Sequence, residues 1–596
     1  MRTFPKSRAL TLALLAAGAG LQAFGPALGQ DRPESILPPG FGQPEPTPAA
    51  SPAPTATSPA PGLVQPPPPS GPGEPAPEPS PTETPSPTPS PIDPEVLAEY
   101  ELPAFARRSL AIVGPAGPGE GALGPGAWGR SDGRFLQTLM RRLDTPSPSR
   151  WSHILLRRAL VAFADTPRGV NGADFAAERA WLLLRMGEAQ AARAVVQSVD
   201  PGNYTPKLYQ VAMNAMLAAS DPAGLCPLAG RAAGAVGGRG WTLAEGMCAA
   251  LAGEPNRGVA LLRDARRRRV ATGIDLLLAQ KVVGAAGGRQ AITIEWDGVD
   301  RLSAWRWGLA STTGVQVPDE LMNGAGRWVR YWQATSPAVA LVNRVEAAES
   351  AAEAGVLSSA ALVGFYSALA ADDDAPAAAS AVAEDLRDAY AERNADARAR
   401  ALREVWGEGT PPYARLLLTA RAAARVPVRE GNEDADRLVA AMLGAGMDRT
   451  AARWRDAVAE GSDAWAMIAL ADPDMRGRLS YGDLASYSGS GDAAAKQRLL
   501  FAGLAGLGRL SPANIERGAE ALDVRIGAEN SWTRAIDRAA AAGEQGTVAL
   551  LAATGMQTGS WRGVRPAMLF RIVGALRAVG LEGEARMVAA EAIARA

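Results

Sequence analysis

The chain has 596 residues, too many for one hydrophobic core to keep growing, so it needs several domains or a repeating array. Hydrophobic residues make up 47% and aromatic ones only 6%, with alanine dominant, and all but four of the 61 basic residues are arginine. A net charge of −1 supplies no field for nucleic acid or an anionic membrane, and a single histidine leaves triads and zinc sites short of their usual ligand.

Arg2, Lys6 and Arg8 precede a 13-residue apolar stretch, Ala9 to Leu21, and "PALGQ" then places Ala27 and Gly29 before Gln30. This pattern predicts a secretory signal peptide over residues 1–29, with an apolar core too short to span a bilayer comfortably. No cysteine sits at the cleavage point, which excludes a lipoprotein, and no later segment approaches twenty uninterrupted apolar residues. The expected location is periplasmic or secreted, with no transmembrane segment in the mature chain.

Residues 30–95 form the next region. Of the 64 positions from Asp31 to Pro94, 24 are proline, and seven acidic residues face one arginine. With no aromatic residue between Gln43 and Val96, nothing can nucleate a core, so a disordered polyproline-II tether is predicted. It reads either as a spacer or as a docking site for a groove that binds proline-rich segments.

From residue 96 the apolar pattern is helical almost throughout, in three regions: 96–290, 291–410 and 411–596. Phe175, Leu182, Leu183 and Met186 share one face before Gly187, and Ala192, Val195, Val196 and Val199 form the next stripe. Leu569, Ile572, Val573 and Leu576 repeat the pattern before Gly580, followed by Ala585, Val588, Ala589 and Ala592. "GEAQAAR" and "GLEGEAR" share a Gly-x4-Ala-Arg turn, "GMDRTAAR" is one residue longer, and "GEPNRGVALL" and "GEQGTVALL" are variants. Five helical hairpins turning at Gly187, Gly253, Gly446, Gly543 and Gly580 are therefore predicted, stacked in sequence order.

On those residues the chain resembles a degenerate tetratricopeptide repeat array. Gly246, Gly253, Gly258, Leu262 and Ala265 match that family's small and large positions, as do Ala180, Gly187, Ala192, Val196 and Asp200-Pro201. The resemblance covers five hairpins and departs in its period, which is not 34, and in its aromatic positions, mostly aliphatic or alanine here. It implies an all-α solenoid of stacked helical hairpins, some twenty helices in all, that binds protein or peptide partners.

Cys226 and Cys248 are the only cysteines. In an exported protein an even pair predicts a disulfide. Cys226 precedes Pro227 at a helix start, and Cys248 ends the returning helix, so an antiparallel pair would bring them together.

Other motifs carry little chemistry. His153, in "RWSHILLRR", reads as a surface or boundary residue. "GPGEGALG" has Gly119, Gly121 and Gly124 at dinucleotide spacing but lacks the helix on which a phosphate would dock, so it reads as a loop. "DPDMRGRLSYGD" imitates a calcium loop but sets Arg476 where an oxygen ligand belongs. "RDARRRR" (263–269) reads as a solvated helix face, and "AITIEW" (291–296) is the one β-like run.

Residues 295–332 hold Trp296, Trp305, Trp307, Trp328 and Trp332 beside Glu295, Asp297, Asp300, Asp319 and Glu320. Two readings stay open: aromatic packing, or a candidate ligand surface where indoles stack on sugars and carboxylates act on glycosidic bonds. Lytic transglycosylases pair helical solenoids with a Glu-Ser followed by Gly-Leu-Met-Gln, a sequel absent after Glu349-Ser350. No catalytic, cofactor-binding or metal-binding set emerges. The expected function is a non-catalytic periplasmic scaffold or protein-interaction protein; the alternative is binding or processing of peptidoglycan at the tryptophan-rich segment.

Overall fold

The computed structural model describes residues 103–144, 147–287 and 291–596; the predicted signal peptide and proline-rich linker lie outside the described residues. Among those described, 27 α-helices and seven short 3-10 turns leave almost no strand. The exception is a two-residue antiparallel pair, with Ile112 opposite Asp165 and Val113 opposite Ala164. "AITIEW" forms neither strand nor helix; alternation alone, with no neighbouring edge to pair with, does not make a strand.

All five predicted hairpins form. Gly172–Arg185 packs on Ala189–Gln197, Arg239–Leu251 on Pro255–Arg267, and Ala435–Gly444 on the short Asp448–Ala452. Ser531–Ala541 packs on Gln545–Gly555, and Pro566–Ala578 on Glu582–Arg595. Gly187 shows why glycine is required: its φ is +83°, and a Cβ there would lie 2.5 Å from Tyr331 Cβ. The next N–H, of Glu188, then donates to Leu183 O at 2.9 Å, satisfying a carbonyl the helix end leaves open.

The hairpins do not stack strictly in sequence order. The Ala304–Thr312 helix packs on Pro206–Ala218, and Val345–Ala354 packs on Arg150–Leu160. The last helix, Glu582–Arg595, also packs on Arg150–Leu160, more than 400 residues upstream, and Gln545–Gly555 packs there too. The physical reason is composition. Every residue of Asp463–Ala471 but Trp465 is buried, and Gly546 to Ala553 are buried without a break. Helices apolar all round cannot leave one face in water, so they collect neighbours on several sides. One contiguous apolar core runs from Val113 to Ile593.

Two long helical stretches divide. Residues 380–406 split into Ala377–Ala391 and Ala395–Trp406, where the Asn394 carboxamide accepts from Asp396 N (2.9 Å) and Ala397 N (3.0 Å). Residues 338–355 become the 3-10 turn Leu341–Arg344 followed by Val345–Ala354.

Cys226 opens the Cys226–Ala235 helix and Cys248 lies in the last turn of Arg239–Leu251, as predicted. They are joined as a disulfide with α-carbons 5.3 Å apart. No helix among the described residues is long and apolar enough to cross a membrane.

Candidate functional site

The tryptophan-rich segment is where the middle of the chain folds back. Ser303 caps the Ala304–Thr312 helix by accepting from Arg306 N (3.3 Å). That helix approaches Pro206–Ala218 so closely that a Cβ on Gly308 would lie 2.4 Å from Leu217 O. The Trp307 indole N–H donates to Ala218 O (3.4 Å) and that of Trp305 to Asp275 O (3.1 Å). On Arg327–Thr335, Trp332 donates to Leu184 O (3.2 Å), at the end of the first hairpin helix. Ser220 Oγ links Ser311 Oγ (2.9 Å) and Ser336 Oγ (2.7 Å), tying three elements.

Trp307 and Trp332 are buried, whereas Trp296, Trp305 and Trp328 are half-buried. None of the five is an exposed platform, while Glu295, Asp297, Asp300, Asp319 and Glu320 all face solvent. Of these ten residues only Trp307 and Asp319 line a common cleft among the described residues, and the other four carboxylates lie outside it, so the predicted set supplies no carboxylate pair there.

A cleft of about 390 Å³ opens beside the segment. Trp307, Met322 and Val317 give it apolar walls; Arg330, Gln333 and Glu346 give it polar ones. Arg330 donates to Asn323 Oδ1 (2.5 Å) and lies 3.7 Å from Glu346, and Gln333 donates to Asn343 O (2.8 Å). Such a lining suits a small amphipathic group, such as one or two side chains of a peptide.

The other singled-out residues serve structure. His153 is buried, not at the surface: its Nε2 lies 2.9 Å from Glu188 Oε1, which also accepts from Arg157 (3.0 Å). Of the arginines flanking it in sequence, Arg157 shares the Glu188 carboxylate, Arg150 is itself buried and Arg158 pairs with Glu584. "GPGEGALG" is a loop with a 3-10 turn, closed by Gly117 N donating to Glu120 Oε2 (2.6 Å). In the calcium-like run, Asp472 is buried in an ion pair with Arg455 and accepts from Asp474 N (2.9 Å). Glu349 accepts from Tyr366 Oη (2.5 Å) and Arg415 Nε (3.0 Å).

The residues that sequence reasoning missed are buried charges linking distant helices. The Glu591 carboxylate accepts from Ser149 Oγ (2.7 Å), Arg150 N (2.8 Å), Trp151 N (3.2 Å) and Arg595 (2.7 Å). It thus caps the Arg150–Leu160 helix from the far end of the chain. Arg595 lies over the Tyr413 ring, 4.4 Å from its centroid, and burial pushes that phenol well above its ordinary range. Arg179, fully buried, donates to Leu160 O (2.7 Å), Val113 O (2.8 Å) and Ala162 O (2.6 Å), and desolvation lowers its guanidinium pKa. Asp463 accepts from Ser490 Oγ (2.5 Å) and Lys496 Nζ (3.1 Å). The available signal was a lone charge on an otherwise apolar face, as Glu591 is in "MVAAEAIA".

No protein-family model, curated protein or solved structure matches the chain. The class rests on the molecule itself: an all-α protein of glycine-turned hairpins with a disulfide.

Proposed function

We propose that this is a non-catalytic scaffold of the bacterial cell envelope, exported to the periplasm, whose helical hairpins hold protein or peptide partners. The observation that carries the reading is the Cys226–Cys248 bond inside one hairpin. Disulfides persist outside the reducing cytosol, which agrees with the leader-like N-terminus. The tetratricopeptide-like turn chemistry supports a repeat scaffold, here curled back so that its last hairpin meets its first helices. The cleft beside Trp307 and Arg330 is the place for a partner's side chain, and the buried charges are occupied as joints between helices rather than held free for a reaction.

In-cell crosslinking at native expression, followed by mass spectrometry, is expected to recover specific envelope proteins, with crosslinks near residues 311–347. Arg330→Ala should weaken them without lowering the melting temperature. Recovery of no specific partner, or two free thiols in periplasmic material, would overturn the reading.

A further inference from the structure

One surface is unlike the rest of this nearly neutral protein. The Pro255–Arg267 helix and the turn that follows it carry Arg263, Arg266, Arg267, Arg268 and Arg269, all exposed. Asp264 pairs with Arg267 (3.2 Å) and Arg268 (2.5 Å); Arg263, Arg266 and Arg269 have no acidic partner among the described residues. The hairpin register adds another arginine. Gly246 faces Leu262 and Gly258 faces Ala250 across the pair, so the antiparallel run brings Arg239, at the start of the other helix, to the same end. Arg239 is 70% exposed and pairs with Asp275 at 3.5 Å.

The turn itself is informative. Val270 N donates to Ala265 O (2.9 Å), the closure seen at the predicted hairpin turns. Those turns put glycine in the left-handed position, whereas here Arg269 occupies it with φ +57°. A branched or long side chain is disfavoured there, and packing does not explain its presence because the side chain is exposed.

We propose that this arginine-rich hairpin end docks the protein electrostatically on a membrane surface of anionic phospholipid headgroups. Six guanidinium groups against two carboxylates suit a sheet of phosphates, to which arginine donates in pairs. A specific protein partner fits less well, because such interfaces need an apolar centre. The exposed large apolar residues among those described are Phe105, Phe135, Phe163, Trp181 and Leu251, and Leu251 sits at the opposite, Gly253 end of this hairpin. The proposal is independent of the scaffold's protein partners.

The test floats the full chain with vesicles of phosphatidylcholine alone, or with about one-third phosphatidylglycerol. Binding is expected only to the anionic vesicles, weakening about tenfold at about 0.5 M salt, where screening is nearly complete. An R263Q/R266Q/R269G variant should lose about a hundredfold in affinity while melting no lower than the parent, since glycine relieves the left-handed turn. A control, R534Q/R538Q/R562Q, removes equal charge elsewhere and should float like the parent. Equal binding to neutral vesicles, an unchanged triple variant, or an equal loss in the control would each overturn the proposal. So would a parent that ignores vesicles while the triple variant loses an envelope crosslink, which would assign the surface to a protein.

Discussion

Glu591 shows how much one side chain carries in an alanine-rich fold. It is 3% exposed, and its four donors come from Ser149, Arg150, Trp151 and Arg595. Glu591→Ala leaves the start of one helix without its acceptor and removes the ion-pair partner of Arg595, which keeps only the Pro148 and Glu353 carbonyls as acceptors, so stability should fall by about 3–5 kcal/mol. Urea titration checks this, and a loss below about 1 kcal/mol would contradict the capping role. Asp436 gives a pH-dependent case. Burial raises its pKa first, and the Asp463 charge adds to that. A carboxyl raised on folding binds its proton more readily in the folded chain, so stability falls as pH rises from the ordinary aspartate range through the raised value. Asp436→Asn, which keeps an acceptor for Ala464 N, should therefore raise the melting temperature at pH 7. The gain should vanish below about pH 3, where both folded and unfolded parent are protonated. A gain of equal size at both pH values would refute the assignment. In the sequence Glu591 showed only as a lone charge on an apolar face and Asp436 not at all, because a carboxylate on a helix does not name the distant helix end it meets.

At the scale of elements the sequence was far more legible. All five glycine turns appear where the apolar stripes broke, because a left-handed C-terminal residue is a local requirement that glycine meets at no steric cost. The cysteine pair was legible for the same reason, since helix start, reversal and helix end are all encoded within 22 residues. The bond should stabilise by about 3 kcal/mol through the shortened unfolded loop. Gly246 and Gly258 keep the reduced hairpin interlocked with its neighbour, so reduction should quicken amide exchange across 226–251 without unfolding the rest. Unchanged exchange there after complete reduction would rule this out. Less legible were helix lengths: Asp448–Ala452 is a single turn although "GMDRTAAR" carries the hairpin signal, and Asn394 divides a run whose periodicity continued through it.

For the whole molecule the decisive feature is that the last helix walls in several others. Glu582–Arg595 packs on Arg150–Leu160, Asp463–Ala471, Ala493–Gly506 and Pro566–Ala578, burying Ala585, Met587, Val588, Ala589, Ala590, Ala592 and Ile593. Their burial is worth on the order of 10 kcal/mol, as much as a typical domain's entire stability. Truncation after Gly580 should therefore abolish cooperative unfolding and expose residues 150–160 to protease, whereas an open array would lose only its end. Retained protection at 150–160 would show that closure is dispensable. Sequence alone determined the all-helical class, the hairpin turns and the cysteine pairing, because helix propensity, periodicity and left-handed turns act over a few residues. Only tertiary structure decided that Trp305, Trp307 and Trp332 point inward, that His153 is buried on Glu188, and that Glu591 caps a helix at the other end of the chain. An indole or a carboxylate has no preferred depth of its own. Its place is set by which distant backbone groups need a partner, and that is fixed only when the helices meet.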